Sequence, residues 1–157
     1  MQKMASIIVL CFSLCVLQVA YAEQTSPEGY WKTIDDVTNE AKSILQITKT
    51  ENDTLIGKIV KIYPDPGRSE NEVCIKCHGA RHNQPIVGMV IMEHLKHDKD
   101  NANEWNGGEI LDPRSGKIYH FMLRVIDNGK KISARGYIGV PLFGRTQEWL
   151  RVSGPQG

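Results

Sequence analysis

The sequence predicts an all-β protein, an eight-stranded antiparallel up-and-down barrel. Three observations lead to that class. Beyond residue 22 the chain divides into eight short segments, several rich in β-branched residues and some with clear in–out alternation. Turn-forming residues separate most of them. No long stretch carries the 3.6-residue periodicity of a helix.

Gly29 to Val37 is the first extended segment. Ala41 to Thr50 is the second, with Ile44, Gln46 and Thr48 alternating against Leu45, Ile47 and Lys49. The polar turn Glu51-Asn52-Asp53 leads to Thr54 to Tyr63, where Lys58 and Lys61 interrupt Ile and Val. A long loop then runs from Pro64 to Gln84, carrying Pro66, Gly67, Asn71 and Gly79 among its turn formers.

Pro85 to Leu95 is the fourth segment and Trp105 to Leu111 the fifth, with a polar turn from His97 to Asn103 between them. Asp112-Pro113-Arg114-Ser115-Gly116 is a strong turn, with proline presetting φ and glycine closing it. Lys117 to Ile126 is the sixth segment. Asp127-Asn128-Gly129 favours a hairpin because Asn-Gly adopts positive φ readily. Lys130 to Val140 and Arg145 to Val152 complete the set, and residues 153 to 157 read as a frayed tail. Asp36 to Ala41 and Pro141 to Gln147 each allow a short helix.

An up-and-down sheet of this kind hides its edges by closing on itself. Eight strands enclose a space that side chains fill, or that holds one small ligand. A two-sheet sandwich is the alternative, since strand patterns do not decide closure.

The first 22 residues have a different character. Lys3 is their only charge, an apolar run from Ile7 to Leu17 follows, and Ala20-Tyr21-Ala22 supplies a small-residue cleavage site. That is the pattern of a secretory signal peptide, which places residues 23–157 in the periplasm or outside the cell as one domain. The segment carries one of the 19 basic residues and none of the 18 acidic ones, so the remainder is balanced. A balanced chain lacks the positive field that nucleic-acid binding uses. Beyond the signal, no apolar run is long enough to span a bilayer. Cys11 and Cys15 leave with the signal, so only Cys74 and Cys77 remain.

Gly29-Tyr30-Trp31 looks like the start of the lipocalin-like barrels, in which a tryptophan on the first strand closes one barrel end beneath a cation from the last. Arg151 is the residue placed to supply that cation, through a contact worth about 0.5–2 kcal/mol. Trp31 and Arg151 are thus structural closure residues.

A wider resemblance rests on Trp105 to Tyr119, on Arg135-Gly136-Tyr137-Ile138-Gly139 and on Gly144 to Arg151. It takes in Gly29-Tyr30-Trp31, Gly57-Lys58-Ile59, Cys74 and Cys77 in Cys-x-x-Cys spacing, and Pro85-Ile86-Val87-Gly88. Over nearly all of the chain beyond the signal, these residues resemble a family of secreted bacterial domains of unknown function. The resemblance implies an exported lipocalin-like barrel and no reaction. His78 departs from the family pattern.

Cys74-Ile75-Lys76-Cys77-His78 admits four readings. It spells the c-type haem attachment motif, with Met89, Met92, Met122 or another histidine as the sixth iron ligand. Cys74, Cys77, His78 and His82 are a donor set for tetrahedral zinc, at tighter spacing than most structural sites. The spacing also suits thiol–disulfide exchange, with Lys76 or His78 lowering a thiol pKa. The plainest reading is a local disulfide pinning the loop, in a compartment that permits one. So small a ring contributes less than the usual 2–4 kcal/mol or so.

Trp105, Tyr119, Arg135, Tyr137 and Arg145 are the candidate ligand-binding residues, polar or amphipathic groups able to orient a ligand in an apolar pocket. Asp112 reads as a turn acceptor. The chain shows no Ser-His-Asp order and no phosphate-cradling loop, and no catalytic residue is assigned. The leading expectation is a barrel holding a small, partly apolar ligand without a cofactor. A haem or metal protein built on Cys74, Cys77 and His78, and an interaction protein with a filled barrel, are the alternatives.

Overall fold

The computed structural model describes residues 26–66 and 69–157. The proposed signal peptide, with Cys11 and Cys15, lies outside the described residues. Eight strands follow in order: β1 (Gly29–Ile34), β2 (Ala41–Lys49), β3 (Leu55–Ile62), β4 (Val90–His97), β5 (Glu104–Asp112), β6 (Lys117–Ile126), β7 (Lys131–Tyr137) and β8 (Arg145–Val152). Each pairs antiparallel with the next, and β8 returns to β1, closing the barrel. The closing register runs Tyr30↔Val152, Trp31↔Arg151, Lys32↔Leu150 and Thr33↔Trp149. The sandwich alternative is thereby set aside.

Several strand ends differ from the sequence reading, each for a local reason. β1 stops at Ile34 because the Asp35 carboxylate accepts the Val37 and Thr38 backbone N–H groups, turning the chain without a helix. β4 starts at Val90, five residues later than Pro85. Ile86 and Gly88 instead donate to the Glu72 and Ile59 carbonyls, folding this stretch into the loop. β7 ends at Tyr137, and the helical tendency near Pro141 becomes a 3₁₀ turn over Pro141–Phe143. The tail is not free: Lys61 donates to the Gln156 carbonyl, and Gly157 lies beside Tyr63 and fully buried Ile44.

The hairpin turn at Asp127-Asn128-Gly129 has positive φ at all three residues, 53°, 51° and 81°. Inward residues of every strand form one core, including Trp31, Leu45, Ile47, Leu55, Leu95, Leu123 and Ile132. At one end of the barrel, Pro27 is buried against the core. There Trp31 donates to the Pro27 carbonyl at 2.7 Å. The Arg151 guanidinium sits 4.1 Å from the Trp31 ring centroid. It also donates to the carbonyls of Gly129, Glu28 and Ser26, at 2.5, 2.9 and 2.6 Å. Desolvation lowers the Arg151 pKa, yet an arginine stays charged at neutral pH. Gly29 fits beside it: at φ 122°, a side chain there would be strained and its Cβ would lie 3.0 Å from the guanidinium.

Arg151→Met is expected to cost about 2 kcal/mol, and Arg151→Lys to recover only part, because a point charge does not satisfy three divergent carbonyls. Guanidinium chloride unfolding, read as a midpoint shift at constant slope, checks this.

Candidate ligand-binding cavity

At the opposite end the barrel opens into a cavity of ≈ 390 Å³. Small-molecule sites usually span about 300–1,000 Å³. The floor is a stacked pair, Phe121 of β6 and Trp149 of β8, with ring centroids 5.7 Å apart. Ile59, Ile91 and Ala134 supply apolar wall. One polar spot interrupts it: Thr33 and Ser43, on paired strands, share a hydrogen bond of 2.8 Å. This patterning follows from alternation, since Tyr119 and Phe121, Ala134 and Gly136, and Arg145, Gln147 and Trp149 face one side of their strands.

The rim is charged and internally matched. Arg145 donates through Nε to Asp36 at 2.6 Å and lies 3.8 Å from Asp35. The Arg145 hydrogen bond holds Asp36 below its ordinary pKa. Asp35 is lowered chiefly by the Thr38 backbone N–H. Lys42 reaches Glu40 at 2.8 Å and Asp65 at 3.0 Å, and these bonds, Glu40's first, raise its pKa. Arg114 adds a 3.3 Å contact to Asp65. A strand, the long loop and the β5–β6 turn therefore meet at one carboxylate.

The loop between β3 and β4 lies along this mouth, where Pro64, Glu72 and Ile86 line the cavity. It is packed down, with Cys74, Cys77, Ile86 and Met89 in the core. Cys74 and Cys77 form a disulfide, and Cys74 Sγ lies 3.2 Å from the Pro113 carbonyl oxygen. Gly116 permits the contact. Its φ is 73°, and a Cβ there would fall 1.9 Å from the Lys76 carbonyl oxygen. The two sulfurs of this disulfide are buried. His78 is exposed, and the His82 ring Nδ1 is 3.1 Å from the Cys77 carbonyl. Among the described residues no group of three or more His, Cys, Asp or Glu is arranged to hold a metal.

Of the five candidate ligand-binding residues, Tyr119 and Arg145 lie on the cavity wall. Arg135 and Tyr137 alternate with Ala134 and Gly136 and so face outward. Arg135 binds the Pro141 carbonyl and Thr146 hydroxyl, and Tyr137 lies against His120 at 5.4 Å. Trp105 is buried against His97, 5.0 Å between centroids, beside a register shift between Trp105 and Gly108. Asp112 accepts from the Arg114 N–H and Ser115 hydroxyl, as a turn residue does. Thr33, Ser43, Phe121, Gln147 and Trp149 also line the cavity, and none of them is among the five candidates. The available signal is two-residue spacing, Phe121 from Tyr119, Gln147 from Arg145 and Trp149 from Gln147.

A closed up-and-down barrel of eight strands, plugged by tryptophan and arginine at one end and hollow at the other, is a lipocalin-like barrel. Its likeness to a solved structure agrees. The protein titled "Protein HP1028 from the human pathogen Helicobacter pylori belongs to the lipocalin family" superposes with a TM-score of 0.67. Identity is 18%, covering 82% of this chain and 84% of that one, so the likeness concerns the fold. The chain belongs to the family described as "uncharacterized protein conserved in bacteria" (DUF2147), whose model matches residues 29–151. No curated protein matches it significantly.

Two outcomes follow from this geometry. Asp36 has a depressed folded pKa, so its contribution is complete above the unfolded value of about 3.9 and disappears as pH falls through the lower folded value. Asp36→Asn should therefore melt below wild type at neutral pH, with the gap closing only below about pH 4. Thermal melts across that range check it. Cys74→Ala/Cys77→Ala should lose about 2 kcal/mol or less, the chain-entropy value for so short a ring. Chemical unfolding of the double variant measures that loss.

Proposed function

We propose that this protein is a non-catalytic carrier, exported to the periplasm or secreted, that holds a small, partly apolar molecule in its barrel. The cavity of ≈ 390 Å³, floored by Phe121 and Trp149, carries the proposal. An apolar moiety would rest on the aromatic pair and on Ile59 and Ile91. Its polar end would lie at the rim near Tyr119, Arg145 and Gln147, where charge is matched and water is close. Thr33 and Ser43 offer a deeper hydrogen bond. Charged rim groups already paired with one another favour a neutral or zwitterionic head over a strongly ionic one. The signal-like residues 1–22 support export, and the 18-to-18 charge balance beyond them gives nucleic acid no electrostatic foothold.

The wall itself supplies a test. A Cβ on Gly136 would meet nothing closer than 3.7 Å, at Tyr119, so a larger side chain there can enter the cavity. Gly136→Leu should weaken binding of a fluorescent apolar reporter about tenfold or more while leaving the unfolding midpoint at or above wild type. Native mass spectrometry of wild type recovered from its own envelope should show a non-covalent small-molecule adduct. A wild type that carries no adduct and binds no reporter would defeat the carrier reading.

A further inference from the structure

The inner end of the cavity holds polar groups that packing alone does not require. Four inward residues on neighbouring strands stand in one row round the barrel. Trp149 pairs with Thr33, Thr33 with Ser43, and Ser43 with Ile62. All four line the cavity, and Thr33 and Ser43 are themselves buried. Two hydroxyls therefore sit at the level of the aromatic floor, flanked by an indole and an isoleucine. What they add to this row over apolar side chains of similar size is hydrogen-bonding capacity.

Their remaining capacity is for accepting. The Thr33 hydroxyl donates to the Ser43 carbonyl at 3.3 Å, and Ser43 Oγ lies 2.8 Å from Thr33 Oγ1. Each hydroxyl has one proton and two lone pairs. With the Thr33 proton on the carbonyl, the shorter contact is the Ser43 hydroxyl donating to Thr33. Both protons are then spent within the wall, while lone pairs on both oxygens are left over. The opposite arrangement leaves the Ser43 proton without an acceptor in the wall, which is costly in a buried position.

Nothing else at this level uses those lone pairs. The Trp149 Nε1 proton goes to Gln147 Oε1 at 3.3 Å, and Gln147 Nε2 donates to Asp36 at 3.3 Å. Arg145 is four residues nearer the mouth than Trp149, about 13 Å along β8, and pairs with Asp36. Lys42, next to Ser43 in β2, is held by Glu40 and Asp65. Two residues beyond Thr33, Asp35 also lines the cavity. Its Oδ1 accepts the Val37 and Thr38 backbone N–H groups, and its Oδ2 accepts no hydrogen bond among the described residues. The unspent capacity of the β1–β2 wall is thus for receiving protons.

On the carrier reading, on which this site rests, we propose that the guest carries a neutral hydroxyl at the end that reaches the floor, donating to the Thr33–Ser43 pair. A carboxylate at that depth would be desolvated with neither a cation nor a free donor beside it. An ammonium would bring a full charge to two neutral oxygens between Trp149 and Ile62. A hydroxyl supplies one proton to a waiting acceptor and leaves no charge to solvate. The guest is then polar at both ends, with an apolar middle resting on Phe121 and Trp149.

Displacement of the fluorescent apolar reporter by two matched naphthalenes tests it. 2-Naphthol offers a proton; 2-methoxynaphthalene has the same oxygen without one. The ratio of their affinities, naphthol over methoxynaphthalene, should fall about fivefold from wild type to Thr33→Val/Ser43→Ala. 2-Methoxynaphthalene itself should bind that variant at least as well as wild type. Ser43→Ala alone, which keeps the Thr33 oxygen, should lower the ratio by less. Circular dichroism melts confirm that each variant is folded. A ratio unchanged or raised in both variants, with the reporter still bound, overturns the hydroxyl site and leaves the carrier reading standing. A wild type that binds neither the reporter nor either naphthalene defeats the carrier reading and the site with it.

Discussion

Every feature of this molecule depends on β8 returning to β1. Without that ladder the sheet has two unpaired edges and no interior. With it, the inward residues of eight strands share one enclosed space. The closing register also sets Trp31 opposite Arg151. One guanidinium then covers an indole face and satisfies carbonyls from two different connections, Ser26 and Glu28 before β1 and Gly129 after β6. Backbone groups at the end of a closed barrel have few partners, and a charged five-donor fork answers several at once.

The two barrel ends solve opposite problems. At the plugged end, Trp31, Pro27 and large aliphatic residues are buried. At the other, the inward positions carry Arg145, Gln147 and Tyr119, and the long loop lies beside the opening. Ion pairs and a local disulfide hold that loop in place of a continuous ladder. The disulfide joins residues only three apart, so its use is local. It shapes the Cys74–Cys77 turn so that the Lys76 carbonyl can rest against Gly116. An internally paired, charged rim thus surrounds an apolar floor.

Strand number, strand order and the plug residues could be read from the chain. Turn chemistry punctuates it plainly at Glu51–Asp53, Asp112–Gly116 and Asp127–Gly129, and Gly29-Tyr30-Trp31 points to barrel closure. The cavity was legible only in part. Tyr119 and Arg145 were within reach because they lie at inward positions, whereas Arg135 and Tyr137 are equally polar and lie on the outer face. A side chain's chemistry does not reveal its parity; that depends on which neighbours in the strand are buried. Trp105 is a harder case, because the irregular pairing between Trp105 and Gly108 breaks simple alternation in β5 and leaves Glu104 and Trp105 both buried.

The amino-acid sequence by itself determined the local events: where strands form, and where asparagine and glycine turn the chain. These are set by neighbours within a few residues and by alternation along one strand. Only the tertiary structure decided the closure, the stacking of Phe121 on Trp149, the placement of the cysteine loop along the mouth and the outward set of Leu142 and Phe143. Each of those joins residues distant in the chain or depends on which face of a closed sheet is inside. Short-range propensity carries no information about either until the last strand has paired with the first.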